Sequence, residues 1–385
     1  MNPVYAALGT TVFEEMSGLA RAHGAINLGQ GFPDGDGPAD VRQAAADALF
    51  GRSNQYPPMM GLPELRAAVA AHYAHHQGLA FGADDVMVTS GATEALAGVI
   101  LALVSEGDEV LLIQPCYDAY LPLVQRAGGK ARFLSLAPPD WRLTEEAVAA
   151  AFASSPKVVI FNNPLNPAGR AFSAEEVGLL ADACRRHGTI AICDEVWEHV
   201  MFDGRTHHPL VGQPGMGERA VKIGSAGKIF SMTGWKVGFV MAAPALLGPI
   251  SRAHQFLTFT TSPALQAGVA YGLGKEDAWF AEQRVGYQRS RDRLTAALRE
   301  AGFAVLASES TYFLCVDLAA SGIVLDDRTF CLRAVTEAGV AAIPVSSFYA
   351  EGEPHNVVRL CFAKQDDVLD EAARRLAAFR ERLIK

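Results

Sequence analysis

A lysine set among small residues, and two polar residues that end apolar runs, are the parts of this sequence equipped for chemistry. Lys228 lies in Lys222-Ile-Gly-Ser-Ala-Gly-Lys228-Ile-Phe-Ser231, after the short run Ala220–Ile223. Val158-Val-Ile-Phe161 leads into Asn162-Asn-Pro-Leu-Asn166-Pro167, and Thr189-Ile-Ala-Ile-Cys193 leads into Asp194-Glu195. In an open α/β sheet, ligands bind beyond the carboxyl ends of the strands. Three such strands would deliver an amine, an amide and a carboxylate to one crevice. An amine can bind an aldehyde covalently, and a carboxylate can hold a proton on a pyridine nitrogen. Together they suit a pyridine cofactor with an aldehyde. A fourth segment, Thr89-Ser-Gly-Ala-Thr-Glu94, falls between a strand-like run and a helical pattern. There the N–H groups of Gly91, Ala92 and Thr93 could point at an anion, although small residues also simply begin helices.

The elements that must position these residues follow from periodicity. Strand-like runs are expected at 86–89, 109–113, 131–136, 158–161, 189–193, 221–224 and 237–241, with helical patterns between several of them, such as Thr93–Val104 and Ala174–His187. Such alternation predicts an α/β fold with a mostly parallel, seven-stranded sheet covered on both faces. An amphipathic helix is expected around Val12–His23, ahead of the extended Ile26-Asn-Leu-Gly-Gln-Gly-Phe-Pro33. Beyond Phe280 the pattern changes to a long charged helix at 283–301, strands at 312–317 and 357–362, and a closing helix at 366–383. The expected organisation is an N-terminal arm (1–37), a large ligand-binding domain (38–280) and a smaller α+β domain (281–385).

At 385 residues the chain is too long for one ordinary core. Half of it is hydrophobic and 19% charged, which excludes disorder. A net charge of −9 argues against nucleic acid and anionic membranes as partners. No apolar run reaches the roughly 20 residues of a membrane span. The six cysteines (Cys116, Cys184, Cys193, Cys315, Cys331, Cys361) form no CxxC pair and no metal spacing, so reduced core thiols in a cytoplasmic protein, and no metal, are expected.

Asn162-Asn-Pro-Leu-Asn-Pro-Ala-Gly169, Asp194-Glu-Val196, Ser225-Ala-Gly-Lys228 and Gly234-Trp-Lys-Val-Gly238 resemble the signature set of the fold-type I, pyridoxal-phosphate-dependent aminotransferases of class I/II. The resemblance covers essentially the whole chain, in family order and spacing. Gly29-Gln-Gly-Phe-Pro-Asp34, Asn54-Gln-Tyr56 and Val358-Arg-Leu-Cys-Phe-Ala-Lys364 are similar to the branch that holds kynurenine, glutamine and bacterial methionine aminotransferases. It implies a homodimer with active sites at the subunit interface, bound to pyridoxal 5′-phosphate. By this resemblance Lys228 would carry the cofactor and then move the proton between Cα and C4′, and Asp194 would pair with the ring nitrogen. Asn166 would donate to the ring's 3-oxygen, and Tyr117 would stack on the ring, though a plain core tyrosine reads the same way. Gly91, Ala92, Thr93, Ser225 and Lys236 would cradle the phosphate, joined by Tyr56 from the neighbouring subunit. Many relatives have arginine where Lys236 stands. The peptide bonds before Pro167 and Pro115 would be cis, yet either proline could be an ordinary turn residue.

Arg359 would grip the substrate carboxylate through two hydrogen bonds, helped by Gly31 and Asn166. Phe13, Phe259 and Phe348 match positions that line the side-chain pocket, where aromatic residues can equally be core. No second arginine is evident for a side-chain carboxylate, so neutral L-amino acids are the expected donors: methionine, glutamine, an aromatic residue or kynurenine. The expected reaction is ping-pong transfer to a 2-oxo acid, with a carbon–sulfur β-lyase as the alternative. One departure stands out. Trp197 replaces the tyrosine whose hydroxyl, in most relatives, also donates to the 3-oxygen; an indole donates only through its N–H, from a different position.

Overall fold

The computed structural model describes residues 1–385. Its central sheet has seven strands in the spatial order Val86–Thr89, Gly238–Met241, Ala220–Ser225, Ile190–Asp194, Val158–Asn162, Glu109–Gln114, Lys130–Ser135. Gly238–Met241 runs antiparallel to both neighbours, and the other four pairings are parallel. Val158–Asn162 and Ala220–Ser225 are buried at every residue, as expected of strands covered by helices on both faces. Lys130–Ser135 is different. Its residues alternate towards solvent, and it presents Lys130 and Arg132 on an open edge, where charge discourages pairing with another chain. At the opposite edge the strand is buried, and the Val88 amide bonds to the Met60 carbonyl at 3.0 Å.

The helices that cover this sheet begin and end where local chemistry dictates. Ala174–His187 starts at a reciprocal cap between Ser173 and Glu176 and stops at Gly188, whose φ of +70° an L side chain resists. It and Val12–His23 keep the boundaries read from the sequence. The long helix begins at Asp277 rather than at residue 283. Its first turn contains Trp279 and the buried Phe280, which the sequence reading placed ahead of the helix.

A second, four-stranded antiparallel sheet comprises Ile343–Pro344, Val357–Cys361, Phe313–Asp317 and Ala304–Val305. Two further residues, Ile26–Asn27, pair in parallel with Val340–Ala341. This pairing ties the N-terminal segment to the C-terminal part of the chain and holds residues 28–34 beside Phe313–Asp317 and Val357–Cys361. The Cys361 amide bonds to the Leu28 carbonyl at 2.7 Å, and the Asp34 amide to the Ala363 carbonyl at 3.2 Å. Cis peptide bonds precede Pro115, Pro139, Pro164 and Pro167. No helix is long and apolar enough to cross a membrane.

Candidate active site

The parallel strands aim their last residues at one edge of the sheet: Thr89, Gln114, Asn162, Asp194 and Ser225. Beyond that edge lies a cavity of about 260 Å³. Gly91, Ala92, Thr93, Tyr117, Asn166, Asp194, Trp197, Ser225, Lys228 and Lys236 all line it. Ten residues drawn from six separate sequence segments therefore meet in one place.

One end of the cavity is built for an anion. The helix Gly91–Leu103 starts there without a side-chain cap, and the amides of its first turn have no acceptor within the helix. The preceding amide, Ser90, is already taken by Glu94 Oε2 at 3.1 Å. Gly91 has φ +79°, and a Cβ there would lie 3.3 Å from Lys236 Nζ. The lysine therefore passes directly over the open helix end and adds its charge to the helix dipole.

At the centre stands Asp194, fully buried. Tyr120 donates to its Oδ2 at 2.5 Å, whereas Oδ1 has no partner. Burial pushes its carboxyl up to about 6, against the pull of Tyr120 and Lys228. Its place is fixed from behind. Asn162 Nδ2 donates to the Asp194 carbonyl at 2.8 Å. The next residue, Glu195, is ion-paired with the buried Lys222 and accepts from the Leu210 amide at 2.9 Å.

Lys228 is half-buried. Its Nζ donates to the Tyr312 hydroxyl at 3.2 Å and lies 4.6 Å from the centre of the Trp197 ring. Burial pushes its ammonium down to about 8, so a substantial fraction is neutral amine near physiological pH. The Tyr312 hydroxyl donates in turn to the Gly31 carbonyl at 2.6 Å, and its ring meets Trp197 edge to face at 4.4 Å.

Arg359 adjoins the cavity through Asn166, whose Oδ1 accepts from Nη1 at 2.8 Å; Nη2 donates to the Gly29 carbonyl at 2.7 Å. The guanidinium is 1% exposed and has no carboxylate within 4 Å. Burial pushes it down to about 10, which leaves it cationic at neutral pH. It rests on the Phe313 ring at 3.9 Å, with Phe348 at 5.2 Å and Phe13 at 5.4 Å. A buried cation without a counter-ion is costly, and a ligand carboxylate would relieve it. The Gly31 amide beside it bonds to nothing within the chain.

Residues 23–376 match the family described as aminotransferase class I and II. The chain belongs to that family. It is 44% identical to the probable N-succinyldiaminopimelate aminotransferase of Mycobacterium tuberculosis, over 97% of both chains. It is 41% identical to the methionine aminotransferase of Escherichia coli, over 96% of each. The structure of N-succinyldiaminopimelate aminotransferase from M. tuberculosis superposes with a TM-score of 0.94 over 98% of this chain and 99% of that one.

Two of the expected site residues lie outside the cavity of their own chain: Tyr56, expected to serve the neighbouring subunit, and Phe259. Tyr56 is 84% exposed and meets Phe259 edge to face at 5.6 Å. Conversely, sequence reading missed Tyr120, Tyr312 and Phe313, which hold Asp194, Lys228 and Arg359 respectively. Tyr120 had a signal: it follows Tyr117 by three residues at the start of a helix, so both rings come to one side. Tyr312 and Phe313 read only as apolar strand.

Proposed function

We propose that this aminotransferase works with pyridoxal 5′-phosphate, moving the amino group of a neutral L-amino acid to a 2-oxo acid by a ping-pong mechanism. The reading rests on the meeting of three groups at one cavity: the unpartnered Asp194 Oδ1, the amine of Lys228 and the unpaired guanidinium of Arg359. The residues fit the cofactor. The open helix end at Gly91–Thr93, with Ser225 and Lys236, would hold its phosphate, Asp194 its ring nitrogen and Asn166 its 3-oxygen, with Tyr117 against the ring. When bound, the cofactor supplies an aldehyde for the substrate nitrogen and a ring that accepts the electron pair left at Cα.

The chain's own residues do the rest. Arg359 and the Gly31 amide would bind the carboxylate common to amino and oxo acids, fixing which face of Cα is presented to Lys228. With a pKa near 8, Lys228 can take the Cα proton as neutral amine and return it as ammonium. Asp194, held by Tyr120, would keep the ring nitrogen protonated. Phe13, Phe313 and Phe348 surround the guanidinium and favour a largely apolar side chain. The two relatives named above are a probable N-succinyldiaminopimelate aminotransferase and a methionine aminotransferase; methionine, glutamine, aromatic residues and kynurenine are the donors proposed here.

Exposed apolar side chains at Phe50, Tyr56, Phe256, Leu257 and Phe259, with Tyr56 against Phe259, support a homodimer, in which Tyr56 and Phe259 would serve the partner's cavity. Six buried, unpaired cysteine thiols support a reducing, cytoplasmic setting.

The test is a donor panel of methionine, glutamine, phenylalanine, kynurenine and N-succinyldiaminopimelate, each with a 2-oxo acid acceptor. The expected result is oxo-acid release without ammonia from the neutral donors. Fastest turnover of the succinylated diacid would overturn the neutral-donor reading, and ammonia with pyruvate from a cysteine conjugate would point to β-lyase chemistry instead.

Trp197 offers a finer check. Its ring faces Lys228 and Tyr312 rather than presenting a hydroxyl to the cavity. Trp197→Tyr restores a phenol able to stabilise a deprotonated 3-oxygen, and should lower the pH midpoint of the bound cofactor's visible absorbance by roughly one unit. An unchanged midpoint removes this position from cofactor tuning.

A further inference from the structure

Outside the catalytic cavity, the helix Pro63–Gln77 and the first turn of the helix Asp277–Glu300 border an open depression of about 580 Å³. Its lining includes His72, His75, His76, Lys275, Glu276 and Asp277. We propose that His75, His76 and Asp277 form a binding site for one divalent transition-metal ion. His75 Nε2 lies 2.8 Å, and His76 Nε2 3.9 Å, from the same oxygen, Asp277 Oδ1, and the three ligand atoms all fall within 4.8 Å of one another. In a tetrahedral site with bonds of about 2.0–2.1 Å, ligand atoms stand about 3.3–3.4 Å apart. The two distances bracket that spacing, so small side-chain rotations bring all three onto one ion. Two imidazoles and a carboxylate suit zinc, nickel or copper(II), whereas calcium and magnesium want a shell of oxygen.

A buried histidine pair backs the depression. His72 is 3% exposed, and its Nε2 is engaged with His199 Nε2 at 2.7 Å. Its Nδ1 has no partner in hydrogen-bond geometry, although the Leu273 carbonyl lies nearby. The surrounding charge allows a cation. Lys275 is turned aside onto Asp40 at 2.5 Å, and Glu276 adds a second carboxylate to the rim. Arg284, one helical stretch further on, is the opposing charge.

His75 and Asp277 are 202 residues apart in sequence, which is why no ligand spacing marks the site. An ion there would clip the helix that packs on the large sheet to the long helix leading towards the smaller one, and would stabilise the folded chain by mass action. The experiment is equilibrium dialysis of the cofactor-loaded, full-length protein against micromolar zinc chloride, with the thermal midpoint followed in parallel. The site predicts one zinc per chain, a raised midpoint, and binding weakened about tenfold or more in both His75→Ala and Asp277→Asn. Both side chains are largely exposed, so metal-free variants should match wild type in circular dichroism and thermal midpoint. Zinc bound equally by wild type and variants, or not retained by wild type, overturns the proposal.

Discussion

The Lys228→Ala protein is expected to lose about 10⁴-fold or more of its transamination rate while keeping its fold. Positioned proton transfer alone contributes typically 10²–10⁴-fold, and this side chain is also the proposed point of covalent attachment. No other amine can stand in. Lys236 lies over the helix end at Gly91, and Lys222 is locked behind the sheet in its pair with Glu195. The void left by the lysine is lined by Trp197 and Tyr312, whose edge-to-face contact does not depend on the amine. Borohydride reduction of the cofactor-loaded wild type followed by peptide mapping should place the label on Lys228, and the variant should carry none. Label on any other lysine, or residual activity within about 100-fold of wild type, would sink both the assignment and the mechanism built on it.

Strand-to-loop transitions explain how much of this site was legible beforehand. Asp194 and Asn162 end buried strands, and the alternation of apolar runs with helical patterns already implied that such ends converge. Six of the seven strands were legible for the same reason, because strands covered on both faces are continuous apolar runs; Lys130–Ser135, whose residues alternate towards solvent, is the exception. Residues that support the site from another layer left no such mark. Phe313 opens a strand of the four-stranded sheet and Tyr312 directly precedes it; their ring and hydroxyl reach Arg359 and Lys228 from a layer other than the central sheet, beside the segment that the pairing of Ile26–Asn27 with Val340–Ala341 anchors. A pairing of two residues across more than 300 positions has no periodicity to detect. The same holds for Asp277 against His75 and His76. Tyr56 and Phe259 were recognised by motif, and the single chain leaves both outside its own cavity. Their proposed roles therefore hang on assembly rather than on this fold.

Asp194→Asn separates stability from catalysis. Burial raises the folded-state carboxyl to about 6, above its ordinary value of 3.8. Between those two values the folded chain binds more protons than the unfolded one. The cofactor-free protein therefore loses stability as pH rises through that window, and carries the whole penalty above it. A shift of this size, with the attraction of Lys228 already included in it, corresponds to about 1–3 kcal/mol. Glu198, pushed up to about 7 by burial, has the same sign, so variant and wild type must be compared at each pH rather than across it. Asparagine keeps an acceptor for Tyr120 at the same position, which makes repacking slight. The cofactor-free variant should therefore melt a few degrees higher than wild type at pH 8, with the gap closing as pH falls towards 4. Its activity should move the other way, down by about 10³-fold, because an amide cannot hold the ring nitrogen's proton against the electron pair at Cα. A variant that loses activity without gaining cofactor-free stability would mean that Asp194 is not strained by burial. One that keeps its activity would mean that the unpartnered Oδ1 is not the group that faces the ring.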